Sequence, residues 1–247
     1  MSVLTELRDN TMVITINRPE AGNALNGDVG RGLVEAFDAA LADDAVRCII
    51  LTGAGEKIFC AGMDLKAFAA GEDIRPVGQA LAKLAACPKP LVAAVNGHAL
   101  AGGFELVLKA DLVVVADGAR FGIPEAKRGL VAAGGGTRLP RRIPLQVALE
   151  MGLTGEPISA ARALELGLVN RVVPAAEVMD TAMQLAAAIT ANGPLAVQAT
   201  KQLMWEEIGE DNAAHVGKAT AHVFQSEDAR EGATAFAEKR APVWKGR

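Results

Sequence analysis

The 247-residue chain reads as an α/β protein, a core of alternating strands and helices followed by a helical C-terminal part. Three observations predict this class. Short apolar runs and helical patterns alternate up to about Pro144, which implies parallel strands joined by crossover helices. Beyond Pro144 the pattern turns to helix upon helix. Hydrophobic residues make up 51% of the chain, enough to give one large domain a generous core.

The elements follow in order. Val3–Arg8 and Met12–Ile16 flank the turn pair Asp9-Asn10 and predict an opening β-hairpin. Val29–Leu41 has helical periodicity. Val46–Leu51 is a buried strand ending at Thr52-Gly-Ala-Gly55. Pro76–Ala86 predicts a helix stopped by Pro88 and Pro90. Leu91–Val95 is a second buried strand, Gly102–Lys109 a helix, and Leu112–Ala116 a further strand. Ser159 caps a helix that ends near Gly167, and Val169–Val173 predicts a last strand. Ala175–Thr190, Pro194–Ile208, Asn212–Phe224 and Asp228–Lys239 read as helices. Asn192-Gly-Pro194 is the clearest punctuation, so residues 1–192 are expected to form the core with the active site and 193–247 a helical region. An amphipathic helical tail needs a surface to cover, its own core or another subunit's.

Composition excludes several function classes. A net charge of −4 leaves no electrostatic footprint for nucleic acid. A local basic cluster at Arg138, Arg141 and Arg142 fits a solvated loop or an anionic-ligand contact. Cys48, Cys60 and Cys87 are odd in number and widely spaced, which argues against a disulfide framework and fits a reducing compartment. No signal peptide is legible at Met1–Asn10, and no apolar run could span a bilayer, so a cytoplasmic protein is expected, without membrane or nucleic-acid partners. Gly53-Ala-Gly55 lacks the third glycine of a dinucleotide fingerprint. His215 and His222 are about two helical turns apart, too far for a shared metal.

The chemistry concentrates in two glutamates. Glu105 follows Asn96-Gly-His-Ala-Leu-Ala-Gly-Gly-Phe. If a helix starts at Gly102, Glu105 lies one turn on, beside N–H groups that have no helical acceptor. Gly102 and Gly103 let a ligand approach the backbone. Glu125 closes Phe121-Gly-Ile-Pro-Glu125, ahead of Ala132-Ala-Gly-Gly-Gly-Thr137. Two such carboxylates can hold a water and move protons while backbone N–H groups hold an oxyanion. Asp64, in Ala61-Gly-Met-Asp-Leu65, is a candidate helix cap. Taken singly, each segment is more often structural than catalytic, and His98 reads as a packing residue.

Together, in this order, the three segments resemble the enoyl-CoA hydratase/isomerase family, the crotonases. Arg18-Pro-Glu-Ala-Gly-Asn-Ala-Leu25 and Phe236-Ala-Glu-Lys-Arg240 match it too, so the resemblance covers essentially the whole chain. It implies a spiral of ββα units with a C-terminal helical region that drives trimers, often paired into hexamers. It also implies an acyl-CoA thioester as substrate and no separate cofactor or metal. The family's oxyanion hole maps to the backbone N–H groups of Met63 and Gly102. Both positions of the two hydratase glutamates are filled, by Glu105 and Glu125. The coenzyme A contacts map to Ala24, Ala61, Asp64 and Leu65, with Lys239 or Lys57 toward the phosphates. Two glutamates imply an enoyl-CoA hydratase. A Δ3,Δ2-enoyl-CoA isomerase would need only Glu125, and a low-activity acyl-CoA or RNA binder is a third class.

The tail from Ser226 looks especially like the carnitinyl-CoA dehydratase branch, as do Gly103-Phe-Glu-Leu106 and Pro124-Glu-Ala-Lys127. A quaternary ammonium substrate calls for aromatic faces or a carboxylate. The chain has no Tyr and only two Trp, Trp205 and Trp244. With Met63 and Ala133 at pocket positions, the lining favours an apolar enoyl group.

Overall fold

The computed structural model describes residues 1–208 and 225–243. The expected helix Asn212–Phe224, with His215 and His222, and Trp244 lie outside them. The chain opens with the hairpin β1 (Val3–Arg8) and β2 (Thr11–Ile16), turning at Asp9 with φ 52°. Helix α1 (Gly27–Ala42) starts where the Asn26 side chain accepts the Val29 N–H, satisfying one of the donors that a helix start leaves open.

Three successive units then repeat one plan. Each sends a long, fully apolar strand into one sheet, turns, and places a three-residue strand in a second sheet. The first unit has β3 (Cys48–Gly53) and β4 (Ile58–Cys60), followed by α2 (Leu65–Ala69) and α3 (Arg75–Ala85). The second has β5 (Leu91–Val95), β6 (His98–Leu100) and α4 (Gly102–Leu108). The third has β7 (Leu112–Ala116), β8 (Arg120–Gly122) and a short 3-10 turn, Pro124–Arg128. A further 3-10 stretch, Gly136–Arg141, leads to α5 (Leu145–Thr154), and the pair β9 (Ile158–Ser159) and α6 (Ala160–Glu165) precedes β10 (Arg171–Val173).

The larger sheet runs β1-β2-β3-β5-β7-β10 and the smaller one β4-β6-β8-β9. From β2 to β10 the large sheet is parallel, and β3 and β5 have no exposed residue. Strands buried on both faces read as continuous apolar runs, which is why the sequence shows these strands clearly. The small-sheet strands are three residues or fewer and carry no such signal, so sequence reading missed them. The spiral of ββα units is therefore present.

Helix α7 (Val178–Thr190) covers the large sheet, and α8 (Pro194–Glu207) follows. Asp111 ties α8 down: its carboxylate takes Lys201 Nζ at 2.7 Å and Trp205 Nε1 at 2.7 Å. The basic cluster of the sequence belongs to this joint. Arg142 lies over the Trp205 ring at 4.4 Å and donates to the Leu108 carbonyl, and Arg141 donates to the Ile208 carbonyl. Helix α9 (Glu227–Glu238) packs on α2 and on the Pro124–Arg128 turn.

Asn23 joins the start of the chain to the first unit. Fully buried and at φ 54°, it donates through Nδ2 to the carbonyls of Ala54 and Ile58, and its Oδ1 accepts the Arg18 N–H. Asn23→Ala would orphan three half-buried backbone groups and place an apolar residue at a left-handed φ. Urea denaturation should show a loss of about 3 kcal/mol; an unchanged midpoint would refute this role.

Candidate active site

The site forms where the second unit meets the first and third. Ala101 precedes α4 with φ 50° and ψ −129°, a conformation that costs a Cβ-bearing residue on the order of 1–3 kcal/mol. Its N–H donates to the Gly122 carbonyl, pinning the turn to β8. The turn brings α4 in directly over β4, and a Cβ at Gly103 would overlap the Cys60 carbonyl. As the first residue of α4, Gly102 has an N–H with no acceptor one turn back.

Met63 approaches from the other side. Leu25 bridges to it, donating to the Gly62 carbonyl at 2.7 Å and accepting from the Asp64 N–H at 2.9 Å. Leu25 thus uses the groups on either side of Met63, and the N–H of Met63 itself faces away from Leu25. It lies near Gly102: the Cβ position of Gly102 is 3.7 Å from Met63 N. Gly62 permits this approach, since a Cβ there would come within 2.9 Å of Gly102 N, and its φ is 91°. The two backbone donors expected from sequence therefore stand side by side.

Glu105 is buried at 5% exposure in the first turn of α4. Its Oε1 accepts the Gly136 N–H at 2.9 Å, and the N–H groups of Gly134 and Gly135 lie against the same carboxylate. A Cβ at Gly134 would overlap Oε2, so the seat is shaped for glycine. Burial pushes Glu105 above the ordinary carboxylate range, while the N–H groups of Gly136 and Gly134 and the charge of Lys109 pull it back.

Glu125 sits on the 3-10 turn Pro124–Arg128 in a different environment. Its buried Oε2 has no hydrogen-bond partner among the described residues. Burial, and then the nearby Glu105 charge, push it up to about 8. The two carboxylates are thus close enough to repel and are seated unequally, Glu105 against the glycine N–H groups and Glu125 with its Oε2 unpartnered among the described residues. Glu125 also lines a cavity of about 350 Å³ with Ile123, Leu130, Val131, Ala132, Leu149 and Leu153. The turn is braced from outside by α9: a Cβ at Gly232 would overlap the Arg128 carbonyl, and Arg128 lies over the Phe236 ring at 5.1 Å.

The expected coenzyme A contacts gather in one strap. Arg18 Nη1 donates to the Ala24 carbonyl at 2.8 Å and to Asp64 at 3.1 Å, and the Ala61 N–H donates to the Gly22 carbonyl. Asp64 caps α2 by accepting the Lys66 and Ala67 N–H groups, with Leu65 the first residue of that helix. Its carboxylate is occupied by the cap and by Arg18. Lys239 is exposed at the end of α9, and Lys57 is exposed in the loop before β4. His98 Nδ1 accepts the Arg120 N–H at 3.2 Å, a structural use. Sequence reading missed the seat that Gly134–Gly136 form for Glu105, the buried Asn23, and Lys109. The last was signalled by a lone lysine inside the apolar stretch Phe104–Val115. Among the described residues no cluster of three metal-ligating side chains exists, and no helix is long and apolar enough to cross a membrane.

Known proteins share this fold. Residues 6–247 match the family described as enoyl-CoA hydratase/isomerase. A carnitinyl-CoA dehydratase of Proteus mirabilis is 44% identical over 253 residues, covering 97% of each chain. The crystal structure of a carnitinyl-CoA hydratase from Mycobacterium avium aligns with a TM-score of 0.92 at 45% identity, covering 100% of this chain and 99% of that one. That of an enoyl-CoA hydratase from Mycobacterium tuberculosis is 50% identical, with a TM-score of 0.78 and coverage of 100% and 99%. With a match that runs from the first strand to the C-terminus and relatives this similar end to end, the chain belongs to the enoyl-CoA hydratase/isomerase family of enzymes.

Proposed function

We propose that this chain is an enoyl-CoA hydratase that adds water reversibly to a trans-2-enoyl-CoA. One observation supports the reading: two neighbouring buried carboxylates in unequal surroundings, Glu105 seated by glycine N–H groups and Glu125 with an unpartnered Oε2, share a region with a pair of adjacent backbone donors. The N–H groups of Met63 and Gly102 hold the thioester oxygen and stabilise the enolate as charge moves onto it, a contribution of about 3–4 kcal/mol for one such donor. Glu105, seated by glycine N–H groups, is the anionic base that takes a proton from the attacking water at Cβ. Glu125, without donors, holds the proton delivered to Cα. The reverse sequence eliminates water. The chemistry needs no cofactor, and coenzyme A enters as part of the substrate.

The Δ3,Δ2-isomerase reading uses Glu125 alone, and the glycine seat built around Glu105 then has no purpose. A binding protein has no use for two buried carboxylates, and an acidic chain offers RNA no surface. Among the described residues no aromatic ring lines the 350 Å³ cavity, and burial and the Glu105 charge push its carboxyl, Glu125, up to about 8. A quaternary ammonium finds neither partner it needs there. An apolar enoyl group is therefore the preferred substrate over a carnitine-type one, although relatives are named for the latter.

We also read the chain as a homotrimer or a hexamer. Leu195, Leu203 and Met204 on α8 and Leu153 on α5 are each at least 65% exposed, more apolar surface than a lone subunit usually presents on neighbouring helices. Sedimentation should give three or six times the mass of one chain; a monomer would refute it. The catalytic reading is tested with crotonyl-CoA, a 3-enoyl-CoA and crotonobetainyl-CoA. Glu105→Ala and Glu125→Gln should each lower the rate of crotonyl-CoA hydration by about 10²–10⁴-fold. Isomerisation that survives Glu105→Ala would favour the isomerase, and faster turnover of crotonobetainyl-CoA would overturn the apolar assignment.

A pH dependence of stability follows from Glu125. Between the ordinary carboxylate range and about pH 8 the folded chain keeps a proton that the unfolded chain releases. Stability contributed by this group is therefore full at low pH and is lost as pH rises through about 8. Glu125→Gln, permanently uncharged, should unfold at higher denaturant than the parent at pH 8 and show a shallower decline from pH 5 to 8. Parallel pH curves for the two proteins would show that Glu125 is not protonated in the folded state.

A further inference from the structure

Lys109 is one of few charged side chains in the interior, at 8% exposure, and neither the oxyanion donors nor the two carboxylates account for it. It follows α4 as its C-terminal cap, four residues after Glu105, and so stands on the same helix face one turn on. A Cβ placed on Gly135 would lie 3.4 Å from Lys109 Nζ and 3.5 Å from its Cε. The ammonium is thus against the Gly135 peptide. On either side of that peptide, Gly136 donates to Glu105 Oε1 at 2.9 Å and Gly134 presses against Oε2. Lysine and glutamate meet the same three-glycine loop.

Burying an ammonium costs free energy unless negative charge or acceptors compensate. The surroundings of Glu105 contain little other positive charge. From the turn Pro124–Arg128 it is faced by Glu125, an acid. On the Gly136–Arg141 stretch, Arg141 is turned to the Ile208 carbonyl, Arg142 just beyond is stacked on Trp205, and Arg138 is only partly buried. From α3, Lys83 is paired with Asp38 and Arg75 with Asp73. From β4 comes the Cys60 thiol, pushed up to about 12 by burial and so uncharged, and from β6 comes His98, used by the Arg120 N–H.

We propose that Lys109 is a positioning residue of the reaction: its buried ammonium, set against the Gly134–Gly136 loop that seats Glu105, supports the charge of the Glu105 carboxylate from behind that loop. The inference rests on the hydratase reading for its catalytic meaning but not for its physical content. The electrostatic direction agrees, since the Lys109 charge acts on Glu105 against burial. Lysine acts here through the base and does not touch the substrate.

The experiment compares the parent with Lys109→Met, which keeps the length and removes the charge, and Lys109→Arg, which keeps the charge. Glutamate carboxyl carbons labelled with ¹³C are titrated by NMR in the ligand-free protein, with Glu105 assigned from Glu105→Gln. The Glu105 midpoint should rise in Lys109→Met by about half to one pH unit and return toward the parent value in Lys109→Arg. The acid limb of kcat/KM for crotonyl-CoA should move up by the same amount. Lys109→Gln replaces the methionine variant should the latter not fold. An unmoved Glu105 midpoint, or a uniform loss of kcat/KM with an unshifted acid limb, would overturn the proposal. A parent without hydratase activity would sink the functional reading and leave the NMR comparison standing as the test of Lys109.

Discussion

The burial of Glu105 is the constraint on which the rest of the site depends. A carboxylate taken out of water must be given donors or must take up a proton. Here the donors are backbone N–H groups from Gly134 to Gly136, brought across from a loop that follows the third ββα unit. That delivery demands glycine at Gly134, whose Cβ would strike the carboxylate, and at Gly103, whose Cβ would strike Cys60. It also demands the strained turn at Ala101 that starts α4 where Glu105 can reach the loop. One polar requirement in the interior thus fixes the backbone of three separate segments.

The spiral makes those segments neighbours. Each unit adds one strand to each sheet in order, so the turns after β4, β6 and β8 stack at one side of the small sheet. Met63 lies past the first, Gly102 past the second and Glu125 past the third. Each repeat thus supplies one residue of the proposed site from the turn after its small-sheet strand. The C-terminal helix α9 closes the arrangement by gripping the outermost piece, the Pro124–Arg128 turn, through Gly232 and Phe236. Glu125 is held from behind, which allows its carboxylate to remain in an environment that offers it no donor.

How much of this was legible follows from what each feature leaves in the residues. The large sheet was plain because its strands are buried on both faces and read as unbroken apolar runs. The small sheet was invisible because strands of three residues have no period to detect. The boundaries of α1 and α3 fell within two residues of expectation, and Ser159 and Asp64 cap helices as anticipated. The motifs around Glu105 and Glu125 pointed to two segments that the fold brings together, but no pattern says that glycine N–H groups thirty residues on will seat Glu105. The basic cluster was legible as charge and not as structure, for its use is to anchor α8 through Trp205, which lies about sixty residues further along the chain. Asp64 shows the opposite case: a residue that the resemblance assigned to coenzyme A has its carboxylate held by a helix cap and Arg18.

The parts of the site differ in how firmly similarity carries them from one protein to another. A donor such as the Gly102 or Met63 N–H belongs to the backbone, and it survives any substitution that leaves the turn intact. Glu105 and Glu125 are side chains, but each is fixed by a seat that would be left unsatisfied or empty without it. The lining of the cavity beside Glu125 has no such lock. Ile123, Val131, Ala132, Leu149 and Leu153 can be exchanged for other side chains at modest cost, because volume-conserving changes are tolerated in apolar packing. Identity near 45% with carnitinyl-CoA enzymes therefore shows the family and says little about the acyl group. The acyl group is better judged from the cavity itself. Among the described residues the wall beside Glu125 is mainly aliphatic, so an assay of acyl-group preference in variants of this lining reads what overall identity does not.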